Sequence, residues 1–436
     1  MKWKDWDLNL KVRLLGEFLT NVLFWMFFPF MAIYFSEHLG KELAGILLIA
    51  SQLIGVFTNL IGGYCADTFG RKKMMVISAF GQAISFICFA FANSPWLESP
   101  ILSFICFSAL GFFGSFYWPA SHAMVADVVP EKHRSQVFAY FYTAINISVV
   151  IGPILGGVFF FEYRFALLIA SALASFLLTF LIYKLVRETA PNILNGSMKV
   201  KTKNSKWTNA IKEQVKDYQI IVTDKAFMLF IIAGILVAQS FMQMDLLLAV
   251  YMSEKVPVQE VISLGEWSIT ASGEQAFGWI ISENGLLVAL LTVFISKWMT
   301  KYYERNVFII SACLYGIAML TFGHTTNLWI IALGMLIFTM GELMVVGIQD
   351  SFISKLAPEN MRGQYFAAGS LRFAVGRTLA PIAIPLSGWI GYSWTFNLLF
   401  LVTILSAIMY VFTFRIVEKK EQINRSPVSS SIREYK

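Results

Sequence analysis

Five ionisable residues stand inside stretches too apolar to be loops: Asp245, Glu283, Glu342, Arg372 and Arg377. Glu342 is the clearest case. It is the one charge in Leu328–Gly347, about fourteen residues into a run that is long enough, at about 1.5 Å per residue, to cross a bilayer. Placing a carboxylate at that depth costs several kcal/mol, so such groups face an internal cavity, titrate, and mark ion or proton paths. Asp245 follows Gln239 and Gln243, and Glu283 precedes Asn284, both in the outer parts of their spans. Arg377 is near mid-depth, and with Arg372 it could neutralise a carboxylate or meet an anionic ligand. This set could perform reversible proton binding coupled to the binding of a charged solute. Glu17, with Asn21 one turn further along the same helical face, offers a smaller polar group near one interface. Trp25, Tyr117, Trp118, Tyr142 and Asn146 add aromatic and amide surface suited to flat, apolar or cationic compounds through stacking and cation–π contacts.

The elements that must position these groups follow from composition. The chain has 436 residues, is 57% hydrophobic and only 14% charged, too little charge to clothe a soluble protein of this length. Apolar runs give twelve predicted helices, over 12–36, 43–64, 74–93, 101–128, 135–161, 165–186, 226–252, 278–299, 306–323, 328–353, 365–389 and 394–414. Of the 34 Lys and Arg, 29 fall on one side of the membrane if the spans alternate, including all of those in residues 1–13. That bias places both termini in the cytoplasm and accounts for the net charge of +7 without nucleic acid. The N-terminal region has no cleavage site of the signal-peptide kind. The predicted fold class is therefore an all-α integral membrane protein of two six-helix bundles. The first bundle covers 1–190 and the second 226–415. A polar cytoplasmic linker, 191–225, joins them, and 416–436 forms a cytoplasmic tail. Within the linker region, Trp207 to Val222 has the pattern of an amphipathic helix lying on the membrane.

The bundles repeat one another. Pro130-Glu131-Lys132-His133-Arg134-Ser135-Gln136-Val137-Phe138-Ala139 returns as Pro358-Glu359-Asn360-Met361-Arg362-Gly363-Gln364-Tyr365-Phe366-Ala367, and the same offset of 228 carries Pro153 onto Pro381. Parallel repeats about an axis normal to the membrane put a substrate site at their interface. Glu342 has no counterpart, since the equivalent position is Gly114.

Two motifs carry a family resemblance. Gly63-Tyr64-Cys65-Ala66-Asp67-Thr68-Phe69-Gly70-Arg71-Lys72-Lys73 resembles the loop between helices two and three of the major facilitator superfamily, with Cys65 and Thr68 departing from its pattern. In that family the loop latches the halves and is released during alternating access, which assigns gating to Gly63, Asp67, Gly70 and Arg71. Gly152-Pro153-Ile154-Leu155-Gly156-Gly157 matches the family's antiporter motif, associated with export, and assigns gating to Gly152, Pro153, Gly156 and Gly157. The helix-four arginine common in drug exporters is replaced by Phe107. In this family helices one, four, seven and ten line the cavity, with two, five, eight and eleven beside them, and every intramembrane polar candidate above falls in that set.

The resemblance implies a twelve-helix drug:proton antiporter of the multidrug efflux type. It would be a monomeric multi-pass protein of the plasma membrane that exports hydrophobic compounds, cationic ones above all. Glu342, Asp245, Glu283, Arg377 and Arg372 would couple protons. Glu342, Glu17, Asn21, Trp25, Tyr117, Trp118, Tyr142 and Asn146 would bind substrate. The alternative is proton-coupled uptake of a peptide, sugar or organic anion. The expected partners are a small-molecule substrate and the bilayer. The driving force is a proton gradient, with no cofactor: the four histidines and four cysteines lack metal-ligand spacing, and no GxxxxGKS/T loop or nucleophile motif points to an enzyme.

Overall fold

The computed structural model describes residue 4 and residues 6–190, 222–264, 267–346, 348–358 and 362–425. Eleven helical stretches are long and apolar enough to cross a membrane, and one of them, Tyr140–Leu185, is long enough for two crossings. The parent helix, Glu131–Leu185, breaks at Tyr163, whose backbone (φ −120°, ψ 27°) leaves the helical region. Twelve crossings result. They are α1 (Leu8–Leu39), α2 (Lys41–Phe69), α3 (Arg71–Phe91), α4 (Pro100–Val128), α5 (131–162), α6 (164–185), α7 (Lys225–Lys255), α8 (Gly273–Met299), α9 (Glu304–Gly323), α10 (Leu328–Val345), α11 (362–390) and α12 (Tyr392–Arg425). The amphipathic helix expected over Trp207 to Val222 and most of the linker and tail lie outside the described residues, apart from Val222.

Several bounds differ from the sequence reading. α8 begins five residues early because Ser272 and Gln275 form a reciprocal capping box. α10 stops at Val345, and a short helix, Gln349–Leu356, follows it where an uninterrupted span to 353 was expected. The loop after α7 is not irregular. Gln259–Leu264 pairs antiparallel with Trp267–Ala271 as a hairpin, with a bulge between Glu260 and Ile262. The repeat persists in the backbone: α1 carries a tight 3₁₀ turn at Phe28–Phe30 and α7 one at Met242–Met244.

The buried core shows how the halves meet. One cluster draws on both, including Phe30, Phe35 and Phe160 from the first and Tyr251, Phe277 and Ile384 from the second. The remaining three clusters each belong to a single half. The shared cluster lies toward the end that carries the hairpin. There Lys41 Nζ pairs with Glu254 at 2.8 Å, Trp389 Nε1 donates to Glu42 at 2.6 Å, and Ser253 Oγ donates to Glu37 at 3.1 Å. The molecule is closed across its halves at that end. At the other end, where Gly70 and the chain leaving α6 lie, the bonds described for Arg71 stay within the first half.

The glycines of the GPxxGG run explain the closest contacts. A Cβ on Gly152 would stand 2.4 Å from Trp25 Cβ, and one on Gly156 would stand 2.2 Å from the Met26 carbonyl. Both glycines thus admit α1 against α5. Across the halves, Gly278 of α8 receives the Pro153 carbonyl, and Gly285 receives Val149. The motif is a packing surface for α1 on one side and α8 on the other, as small-residue helix faces are in membranes.

Candidate functional site

Glu342 lies about 21 Å along α10 from Leu328. Its Oε2 accepts a hydrogen bond from Asn284 Nδ2 at 3.0 Å, and the same amide reaches Thr339 Oγ1 at 3.0 Å. Thr339 in turn donates to the Met335 carbonyl at 2.8 Å, which fixes its hydroxyl. A neutral amide on α8 thereby orients the carboxylate of α10 without cancelling its charge. The bond also corrects a depth. Asn284 and Glu283 were expected in the outer part of their helix, but the early start of α8 brings Asn284 level with Glu342.

The carboxylate faces a cleft of about 100 Å³ within the second half, lined by Gly234, Phe241, Tyr315, Arg372, Phe373 and Tyr410 among others. Arg372 is buried at 5% exposure. Its guanidinium lies 4.9 Å from the Phe230 ring centroid and donates from Nε to the Gly369 carbonyl at 2.8 Å. Gly234 of α7 makes room for its stem, since a Cβ there would meet Arg372 Cδ at 2.4 Å. Arg377 is exposed, five residues on. The two arginines expected to act as a pair therefore serve different surroundings: Arg372 shares the cleft with Glu342, while Arg377 lies within electrostatic range of Asp245. Asp245 follows the tight turn in α7, feels the charge of Glu342 as well, and keeps a buried Oδ1 with no hydrogen-bond partner. Glu283 is half-buried on α8, beside Asn284 in sequence, and has no side-chain bond among the described residues. Gln243 ties α7 to α11 through the Ala380 carbonyl at 3.0 Å.

The first half contains a different arrangement. Glu17 is not a lone carboxylate: Arg13 Nε donates to its Oε1 at 2.6 Å, one helical turn away. Arg13 was counted with the basic residues flanking the membrane, yet it is 1% exposed. It lies 4.1 Å from the Phe141 ring centroid and donates to the Ser121 carbonyl of α4 at 2.7 Å. The spacing Arg-x-x-x-Glu was the signal that could have revealed it, because i,i+4 residues face one another on a helix. Tyr117 is buried next to this pair and His122 also lies near it, with its ring against Trp118.

The other candidates are dispersed. Trp118 and Tyr142 are 48% and 49% exposed. Asn146 is buried and spends its amide on the Tyr142 carbonyl at 2.9 Å. Trp25 is half-buried at the α1–α5 contact, and Asn21 is half-buried one turn before it. In the loop 63–73, Gly70 takes a positive φ of 103°, which favours glycine. Arg71 Nε reaches Asp127 at 3.3 Å, and its backbone N–H donates to Glu188 at 2.8 Å. The bonds described for Arg71 thus bind α3 to α4 and to the chain after α6, all within one half. Gly63 lies in α2 with no atom within 4 Å of where a Cβ would be, and the Asp67 side chain lies outside the described set.

The Major Facilitator Superfamily model matches residues 14–265 and 260–435. The chain belongs to the major facilitator superfamily. Among its relatives, the Na(+), Li(+), K(+)/H(+) antiporter of Planococcus maritimus is 54% identical over 429 residues, covering 97% of this chain and all of that protein. The multidrug resistance protein MdtH of Salmonella choleraesuis (strain SC-B67) is 23% identical, covering 88% of this chain and 86% of MdtH. Among solved structures, a POT family transporter in complex with 5-aminolevulinic acid superposes with a TM-score of 0.73 at 19% identity, covering 93% of this chain and 96% of the other. That likeness bears on the fold. This superfamily member is accordingly an all-α multi-pass membrane transporter, and both relatives and the structural neighbour are themselves named as transporters, antiporters or resistance proteins.

Proposed function

We propose that the protein exchanges a small monovalent cation for protons across the plasma membrane by alternating access. The observation that carries this reading is the Glu342 carboxylate, held by neutral Asn284, whose amide also reaches Thr339, in a cleft of about 100 Å³. A carboxylate oriented by neutral groups binds either a proton or a cation, and it releases one when it takes the other. A cleft of that size suits a bare or partly hydrated alkali ion. The 54% identical relative is named for exchange of that kind. Asp245 and Glu283 extend the negative field along α7 and α8 toward the closed end, where a proton would enter once the halves part. On the positive-inside bias the end opposite the hairpin faces the cytoplasm, and closure at the hairpin end suits loading of a cytoplasmic cation.

The cycle then has two steps at Glu342. Facing the cytoplasm, the deprotonated carboxylate takes the cation. After the halves rock about the α5–α8 contact, a proton arriving from outside displaces the ion and the protonated carrier returns. The GPxxGG surface on α5 supplies the sliding face for α1 and α8.

The test is cation-dependent proton movement in inside-out vesicles, read with a pH-sensitive dye. Addition of NaCl, LiCl or KCl to energised vesicles should collapse the gradient, and Glu342→Gln should remove that response. An unchanged response in Glu342→Gln vesicles overturns the assignment.

A second reading, export of amphiphilic cations, is favoured by one observation: Trp118 and Tyr142 of the first half stand half exposed. Ethidium or a similar dye in the same vesicles separates the two. Dye movement that survives loss of alkali-ion exchange would support it.

A further inference from the structure

The membrane-facing side of the first half has an apolar groove that the transport cycle does not use. It has a volume of about 370 Å³ and is walled by Phe69 of α2, Lys73 and Ile77 of α3, and Phe112, Phe113 and Phe116 of α4. At about 100° per residue, Phe112, Phe113 and Phe116 lie on the side of α4 away from Trp118 and the central opening. Phe69 and Ile77 are exposed at 49% and 47%. The floor is built on purpose: Gly81 leaves space for the Phe113 ring, which a Cβ would meet at 2.4 Å.

Two polar features break the apolar lining, one at each level. Lys73 stands at the mouth, exposed, with its Nζ 6.0 Å from the Phe69 ring centroid, and no carboxylate among the described residues pairs with it. Its neighbours are otherwise engaged: Arg71 bonds Asp127, and Lys72 lies 5.7 Å from the Tyr183 ring centroid. Ser78 lines the groove with its hydroxyl buried and unpartnered, at 1% exposure. A helical serine ordinarily satisfies itself on the i−4 carbonyl, as Ser85 does on Gly81. A hydroxyl that does not, in an apolar wall, is placed for an acceptor from outside the chain.

From Lys73 to Ser78 the groove runs about 8 Å along α3, about half of the ~15 Å hydrocarbon depth of one leaflet. We propose that this groove holds an anionic phospholipid, with one acyl chain along α3 and α4, the phosphate at Lys73, and Ser78 donating to a glycerol ester carbonyl. The cation at the mouth selects the headgroup, and the aromatic walls take any chain. Because Phe69 and Lys73 belong to the loop 63–73, the bound lipid ties that turn to its own half. This site stands independently of which ion is transported.

The test is native mass spectrometry of the full-length protein purified in detergent, titrated with phosphatidylglycerol and separately with phosphatidylcholine of the same chains. The wild type should retain one phosphatidylglycerol at least fivefold more tightly than phosphatidylcholine. Lys73→Glu should remove that preference, and Ile77→Trp, which fills the groove, should lower retention of both lipids. Thermal unfolding of each variant checks that it is folded. Ser78→Ala keeps the packing and should weaken retention by two- to fivefold. Equal retention of the two lipids by the wild type, or undiminished phosphatidylglycerol binding in folded Lys73→Glu and Ile77→Trp, overturns the proposal.

Discussion

The two six-helix halves share a backbone and differ in how they treat buried charge. Each buries one guanidinium between its first and fifth helices. In the first half Arg13, on α1, is closed by Glu17 of the same helix and lies against Phe141 of α5. In the second half Arg372, on α11, lies against Phe230 of α7, while the nearby carboxylate Glu342 is held by Asn284. A carboxylate already neutralised by a guanidinium at 2.6 Å has little left to offer a passing ion. One oriented by an amide keeps its charge. On the proposed reading the repeat has specialised: the first half provides a charge-balanced scaffold, and the second provides the proposed exchange site.

This contrast can be broken at several places. The largest effect should come from the shared packing face: Gly156→Leu drives a side chain into the Met26 carbonyl and Phe30, so folded protein should fall below a tenth of wild type by size-exclusion of detergent extracts. Next comes the scaffold pair. Arg13→Gln leaves Glu17 buried without its partner and should destabilise by about 3–5 kcal/mol, whereas Arg13→Gln with Glu17→Gln should recover much of that loss. Thermal unfolding of both variants measures the difference. If the single variant is as stable as the double, Glu17 is a free carboxylate after all and the halves are less distinct. Exchange in the double variant should persist, because the pair lies outside the exchange site.

A smaller effect is expected from Asn284→Leu, which removes the donor that orients Glu342. Cation affinity should weaken by about tenfold, roughly the 1–2 kcal/mol of a hydrogen bond to a charged group. The half-maximal NaCl concentration in the vesicle assay reads it. Gly114→Glu sharpens the comparison from the other side. Nothing lies within 4 Å of a Cβ there, so the variant should fold and place a carboxylate where the repeat lacks one. The smallest change is predicted at the closed end. Glu254→Gln loses a partly exposed pair with Lys41, and exchange rates should shift no more than a few-fold.

Much of this was legible in the residues. Twelve apolar runs, the offset of 228 and the lysine and arginine bias led to six helices plus six, and the GPxxGG glycines announced a close helix contact. The misreadings have physical causes. Arg13 looked like a flanking charge because positive-inside counting treats any basic residue near a span as outside it. Glu283 and Asn284 were set too shallow because hydropathy sees where a helix becomes apolar, while the capping box of Ser272 and Gln275 starts α8 earlier. The hairpin 259–271 escaped notice because its short strands are too polar to stand out beside membrane spans. Which solute is carried was not legible at all, since a carboxylate in a cleft attracts protons and every cation small enough to reach it.

The most direct measurement of the central claim is alkali-cation-driven collapse of the proton gradient in vesicles carrying wild type, Glu342→Gln or Glu17→Gln, matched for protein content. The account predicts loss of the response in Glu342→Gln and retention in folded Glu17→Gln. Loss in Glu17→Gln with retention in Glu342→Gln would place exchange in the first half and contradict it.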